Sequence, residues 1–161
     1  MHYRRVLEPD AYYFFTLNLE DRTQSLLIEN IEILRRVYLK VTKRHPVNTI
    51  AIVIMSDHLH AIWQLPKGDS NYAMRWRLIK SKSGFSRQIL PGEFCKQSRL
   101  HKGERGIWQR RYWEHKIRNK EDLDNHINYI HYNPVKHKYV KNLKLPSTWG
   151  RDNKLNNMYD E

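Results

Sequence analysis

The chain has 161 residues, 29 Lys and Arg against 17 Asp and Glu, a formal net charge of +12, and 40% hydrophobic residues, which suits one domain. Its 5 Trp, 10 Tyr and 4 Phe can build a core and exclude wholesale disorder, while no apolar run approaches the roughly 20 residues of a membrane helix. The opening Met1-His2-Tyr3-Arg4-Arg5 lacks a secretory signal, and the single Cys95 excludes an intramolecular disulfide framework, so a cytoplasmic protein with a polyanionic partner is expected.

Tyr12 to Leu19 is aromatic and apolar and runs into the polar Glu20-Asp21-Arg22, which predicts a buried strand and its turn. Leu26, Leu27, Ile31, Leu34, Val37, Tyr38 and Val41 recur at three- and four-residue steps and predict a helix over about 24–44, closed by Pro46. Asn48 to Met55 is rich in β-branched residues, Ser56-Asp57 marks a turn, and His58 to Leu65 alternates, so the two stretches predict a hairpin. A second helix is expected over about 71–90, with Met74, Ile79 and Phe85 inward, then a basic loop over 91–106. Residues 107–109 and 112–117 predict one strand bulged by Arg110-Arg111, and Asn119 caps a third helix that carries Leu123, Ile127 and Ile130 and ends near Asn133-Pro134. Strand, helix, strand, strand, helix, strand, helix is the ferredoxin-like order: an α+β fold with an antiparallel sheet, helices on one face and an additional C-terminal helix. Residues 1–144 are expected to form the domain and 145–161 a tail that is flexible or contacts DNA.

The charge is concentrated. Between Arg75 and Lys120 there are fourteen basic residues and three acids, a local excess of eleven. Trp76, Trp108, Tyr112 and Trp113 lie among these cations. Cations neutralise phosphates and flat rings stack on unpaired bases. The same pattern also describes a solvated basic surface over core aromatics.

Two constellations can carry chemistry. His58 and His60 flank Leu59 on a predicted strand, so both imidazoles project from one face. Two nitrogens at that spacing suit a divalent metal, although satisfied core histidines show the same pattern. Tyr129 and Asn133 are four residues apart on the predicted last helix and share a face. A phenol is a possible nucleophile and an amide oxygen a ligand for a hard cation. His126 lies on nearly the same face and is a possible proton relay, as is His131; both also read as surface histidines.

The chain resembles the single-tyrosine HUH transposases, specifically the REP-associated tyrosine transposases of bacteria. The resemblance is carried by Tyr13-Phe14-Phe15-Thr16, by Met55-Ser56-Asp57-His58-Leu59-His60, by Trp108 to His115, and by His126 to His137. It implies a ferredoxin-like (RRM-like) core, Tyr129 as nucleophile, and His58, His60 and Asn133 holding Mg²⁺ or Mn²⁺. It also implies hairpin-forming single-stranded REP DNA as substrate, a covalent 5′-phosphotyrosine intermediate, no nucleotide cofactor, and a monomer rather than a dimer. The expected DNA contacts are Arg75, Arg77, Lys80, Lys82, Arg110, Arg111 and Arg118. A non-catalytic RRM-like nucleic-acid-binding module and a metal-dependent hydrolase using water are the other readings.

Overall fold

Alternation along the first strand decides the architecture. In the computed structural model, which describes residues 11–81, 85, 97–101 and 106–136, β1 (Tyr12–Asn18) sends Tyr13, Phe15 and Leu17 into one apolar core and Phe14 into another. A strand that is apolar on both sides needs cover on both faces of its sheet. The chain supplies it with α1 (Leu26–Glu29), α2 (Ile31–Arg44) and α3 (Tyr72–Lys80) on one face and α5 (Lys120–Lys136) on the other. The remaining strands are β2 (Asn48–Ile54), β3 (His58–Gln64) and β4 (Trp113–Lys116), and a short α4 spans Gln97–His101. The four strands pair antiparallel in the order β2-β3-β1-β4. This is the ferredoxin-like order expected from the sequence, and α5 is the additional helix.

The larger core lies beneath α2 and α3. Trp63 and Trp76 stack with centroids 4.0 Å apart. Trp63 donates its indole N–H to the Tyr38 hydroxyl at 2.7 Å, and that oxygen lies 2.6 Å from Thr49 Oγ1. Burial pushes the Tyr38 phenol well above its usual range. Trp76 and Trp108, expected from the sequence as stacking surfaces, are 0% and 4% exposed and belong to this core.

Four boundaries differ from the sequence expectation. The helix over 24–44 is two helices, because Asn30 turns its Nδ2 back to the Leu26 carbonyl at 2.9 Å and takes φ −117°, ψ 30°; such back-bonding competes with helix propagation. The last helix passes through Pro134 to Lys136. Proline's φ is helical and only its N–H is missing, so a helix can end one turn beyond it. Within the expected loop over 91–106, Gln97–His101 is helical. The helix expected over about 71–90 stops at Lys80, because Ser81 takes an extended conformation (φ −69°, ψ 172°). The tail over 145–161 and Lys82 lie outside the described residues.

The bulged strand is present. Trp108 bridges Leu19 and Trp113 pairs with Thr16, so the partner advances five residues while β1 advances three. The two extra residues are accommodated around Arg110-Arg111, both exposed. Gln109 N–H donates to Asn18 O at 2.9 Å and Glu20 N–H to Ile107 O at 2.9 Å, fixing this segment to the end of β1.

Arg75 corrects the list of DNA contacts. It is 1% exposed. Its guanidinium donates to His45 O, Pro46 O and Asn71 O at 2.9–3.1 Å and to both Asp69 carboxylate oxygens at 3.2 and 2.8 Å. These bonds engage all five guanidinium donors, so none remains for a phosphate. Their effect is to tie α3 to the end of α2, and the Arg75 bond holds the Asp69 carboxyl below its ordinary range. Arg75→Met is expected to cost about 1–3 kcal/mol in a denaturant titration, through the carbonyls it strands. Nucleic-acid affinity of the folded variant should be unchanged; a drop as large as that of Arg111→Ala would contradict this assignment.

Among the described residues no helix is long and apolar enough to cross a membrane.

Candidate active site

β3 places the two histidines. His58 pairs with Asn18 and His60 with Thr16, so both imidazoles face α5 while Leu59 enters the opposite core. They are 4% and 5% exposed, with ring centroids 5.0 Å apart.

Each ring is oriented through Nδ1. His58 Nδ1 lies 2.7 Å from Asp57 Oδ1 and 3.5 Å from Arg22 Nη2. The carboxylate can only accept and is much closer, so Nδ1 carries a proton, and the neutral ring then offers its lone pair at Nε2. Arg22 Nε donates to the other oxygen of Asp57 at 2.8 Å. Burial alone would raise the Asp57 pKa, but the hydrogen bonds and charges of His58 and Arg22 outweigh it and hold this carboxyl below its usual range. His60 Nδ1 lies 2.8 Å from Thr16 Oγ1, a hydroxyl able to accept the Nδ1–H that a metal-bound Nε2 requires. Asp57 and Thr16 are the orienting groups that the sequence did not reveal.

α5 crosses the same face. Asn119 caps it, its Oδ1 accepting the Asp122 N–H at 2.8 Å. Ile130 is fully buried and, with Leu123 and Ile127, packs against Phe14, Val53, Met55 and Ile62. That seating brings the Tyr129 ring to 5.2 Å from His60, at 75°, and to 6.0 Å from Phe14. Tyr129 remains 36% exposed.

One turn further, Asn133 is 0% exposed, and neither its Oδ1 nor its Nδ2 has a hydrogen-bond partner among the described residues. A buried amide left unsatisfied costs about 1–3 kcal/mol, so it calls for a partner such as a bound ion. The four residues named from the sequence thus lie on one face of the sheet and on the helix that covers it. Two imidazoles oriented through Nδ1 and a buried orphan amide fit a divalent cation.

A second polar cluster was not anticipated. The buried Asp122 carboxylate accepts from Arg118 N–H and His115 Nε2, both at 2.9 Å, and from Arg118 Nε at 3.3 Å, while His126 Nδ1 lies 3.2 Å from its other oxygen. Burial opposes ionisation, but these donors outweigh it and hold the carboxyl far below its ordinary range. His126 also donates from Nδ1 to Asp122 O at 2.7 Å and stacks on His115 at 4.8 Å. The donors of His115, Asp122 and His126 lie within 4.8 Å of one another, but the Arg118 cation already occupies the position of a counterion. The cluster ties β4 and its turn to the start of α5. His131, two residues after Tyr129, is turned about 200° around the helix from it, and burial lowers its pKa.

The remaining basic candidates divide. Arg77, Arg110, Arg111 and Arg118 are exposed. Lys80 Nζ donates to Gln109 O at 3.2 Å and lies 5.4 Å from the Tyr112 ring centre.

Comparison with known proteins gives the family. Residues 9–133 match the family model described as "Transposase IS200 like". A Haemophilus influenzae protein assigned to the REP-associated tyrosine transposases is 47% identical over 146 residues, 89% of this chain and 81% of that protein. The REP-associated tyrosine transposase of Escherichia coli K12 is 40% identical over 152 residues, 93% of this chain and 83% of that one. A solved REP-associated tyrosine transposase bound to a REP hairpin superposes with TM-score 0.74 at 38% identity, covering 89% of this chain and 78% of that structure. With the His58-Leu59-His60 strand and the Tyr129–Asn133 helix in place on one sheet face, the chain belongs to the IS200-like transposases and, within them, to the REP-associated tyrosine transposases.

Proposed function

We propose that this transposase cuts and rejoins single-stranded DNA at REP-type hairpins through a covalent link between Tyr129 and a 5′ phosphate. The observation that carries the reading is the approach of Tyr129 to His60, 5.2 Å between rings, on the helix whose next turn buries the unsatisfied Asn133. The relative bound to a REP hairpin supports the choice of substrate.

In this reading the Tyr129 phenolic oxygen attacks the scissile phosphorus in line. The bond to the 3′ oxygen breaks and a tyrosyl 5′-phosphodiester forms. The phenolic proton passes to the solvent that reaches the exposed ring, and the departing 3′ oxygen takes one up as a free 3′-OH. Reversal by a second 3′-OH rejoins strands without an energy source, because one ester replaces another. His58, His60 and Asn133 would hold Mg²⁺ or Mn²⁺, which would supply Lewis-acid polarisation of the phosphate. Asp57 and Thr16 hold the imidazole rings, and the Asp122 cluster fixes the entry of α5, so the nucleophile is presented without reorganisation. His126 is spent on Asp122 and His131 lies on another side of the helix, so no proton is routed through either. Tyr129 reaches His60 of its own chain at 5.2 Å between rings, and in this reading the protein acts as a monomer. Arg77, Arg110, Arg111 and Arg118 are assigned to phosphate contacts, which makes binding steeply salt-dependent.

The test is incubation of the protein with an end-labelled REP hairpin carrying single-stranded flanks, with Mg²⁺, Mn²⁺ or excess EDTA, followed by a denaturing gel. The expected result is a protein–DNA adduct that resists denaturation, formed with either ion and absent with EDTA. Binding without cleavage would establish a nucleic-acid-binding module instead, and cleavage without an adduct a hydrolase using water.

A further inference from the structure

Of the four aromatics interspersed with the central cations, Trp76 and Trp108 are in the core and Tyr112 is half-buried, whereas Trp113 is 63% exposed. Trp113 is the most exposed large hydrophobic side chain among the described residues, a flat ring with one polar N–H that is open to a partner.

Its position in the sheet is informative. Trp113 pairs with Thr16, Thr16 pairs with His60, and His60 pairs with Val53, forming one row across the four strands. His115, two residues on, touches Asp122 and His126 on α5, so Trp113 projects from that same face. The next row, His115-Phe14-Ile62, is the one on which α5 packs. The Trp113 row therefore runs alongside the tyrosine helix, and the Trp113 backbone lies two interstrand spacings, about 10 Å, from that of His60. The exposed Arg110 and Arg111 stand three and two residues before it, separated from it by Tyr112, so a flat apolar surface is preceded along the chain by two cations that match a phosphate backbone.

We propose that Trp113 is a base-stacking subsite, taking one unpaired nucleobase of the strand whose phosphate lies over His58 and His60, with Arg110 and Arg111 on the adjoining phosphates. The subsite rests on the single-strand reading above and adds to it a residue that fixes which phosphate reaches Tyr129: a base seated on Trp113 sets the register of the strand at a distance a short single-stranded run can bridge. A stacking platform accepts any base, so it contributes affinity and register rather than sequence preference.

The test uses the full chain carrying Tyr129→Phe, so that DNA is bound and not consumed, and fluorescence anisotropy with a labelled REP hairpin whose single-stranded flanks carry an abasic site at one position at a time. Trp113→Ala is expected to weaken binding to the intact oligonucleotide by about 5- to 150-fold, the range that loss of one base–aromatic stack gives. It should bind one of the abasic oligonucleotides as well as the Trp113 protein does, because the stack is already missing there. Trp113→Phe should recover part of the loss and Trp113→Leu much less. Equal affinity of Trp113→Ala and its parent, an equal loss on every abasic oligonucleotide, or no binding by the parent itself overturns the proposal. In wild-type protein, binding without a covalent adduct counts against the strand-transfer reading alone and leaves the anisotropy comparison intact. The indole is mostly in solvent, and unchanged thermal melts of the variants establish that they are folded.

Discussion

Tyr129→Phe is expected to abolish the covalent adduct and strand cleavage, by at least about 10⁴-fold, while DNA affinity stays within the range of the wild type. The size follows from what is removed: loss of a nucleophile leaves only the contribution of binding and electrostatics, and comparable deletions in other covalent enzymes cost this much or more. The substitution removes one oxygen from a ring that is 36% exposed and packs edge-on to His60 and Phe14. Neither the packing of α5 nor the exposed cations should change. A single-turnover gel assay beside an anisotropy titration checks both halves. Residual cleavage near the wild-type rate would place the nucleophile elsewhere, and a parallel loss of binding would show that the hydroxyl serves the fold.

The second large effect has an unusual sign. Asn133→Leu should eliminate cleavage and yet stabilise the protein in EDTA. The amide is fully buried with both polar atoms unpartnered among the described residues, a cost of about 1–3 kcal/mol that an apolar side chain of similar branching does not carry. For a chain of this size that corresponds to roughly 2–10 °C in melting temperature. Asn133→Asp should do the reverse, because a buried carboxylate without a counterion is costlier than an amide. In EDTA the order of stability is then Leu above Asn above Asp; on titration with MnCl₂ the Asp protein gains most and the Leu protein least. Thermal melts with and without the ion provide the readout independently of catalysis. Melting temperatures that ignore Mn²⁺ in all three would remove Asn133 from the metal site. Site residues that lower stability in exchange for function are a general feature of enzymes.

What the sequence made legible was whatever depends on period alone. Two residues per repeat put His58 and His60 on one side of β3, and four residues put Tyr129 and Asn133 on one side of α5. The order of elements was enough for the topology, since few arrangements of a split βαβ unit are available. Properties set by contacts distant in sequence were not legible. Thr16 reaches His60 across 44 residues of chain, and nothing local to either marks the pair. Arg75 looked like the other central cations because a charge count carries no information about burial; its role depends on the carbonyls of His45 and Pro46, about thirty residues away. Trp76 and Trp113 sit alike among the central cations, and only the packing of α3 on the sheet and the register of β4 separate a core ring from an exposed one. Asp122 follows the Asn119 cap by three residues and carries no local mark of its role: its carboxylate gathers His115 and Arg118, while its backbone N–H donates to the Asn119 cap.

The central claim is that Tyr129 itself becomes joined to the DNA 5′ phosphate. Proteolysis of the adduct formed with Mn²⁺ and a REP hairpin, followed by mass spectrometry of the DNA-linked peptide, tests it most directly. The account predicts a single modified residue, Tyr129. Linkage to Tyr132, three residues on and more exposed at 53%, or cleaved DNA with no linked peptide, would contradict it.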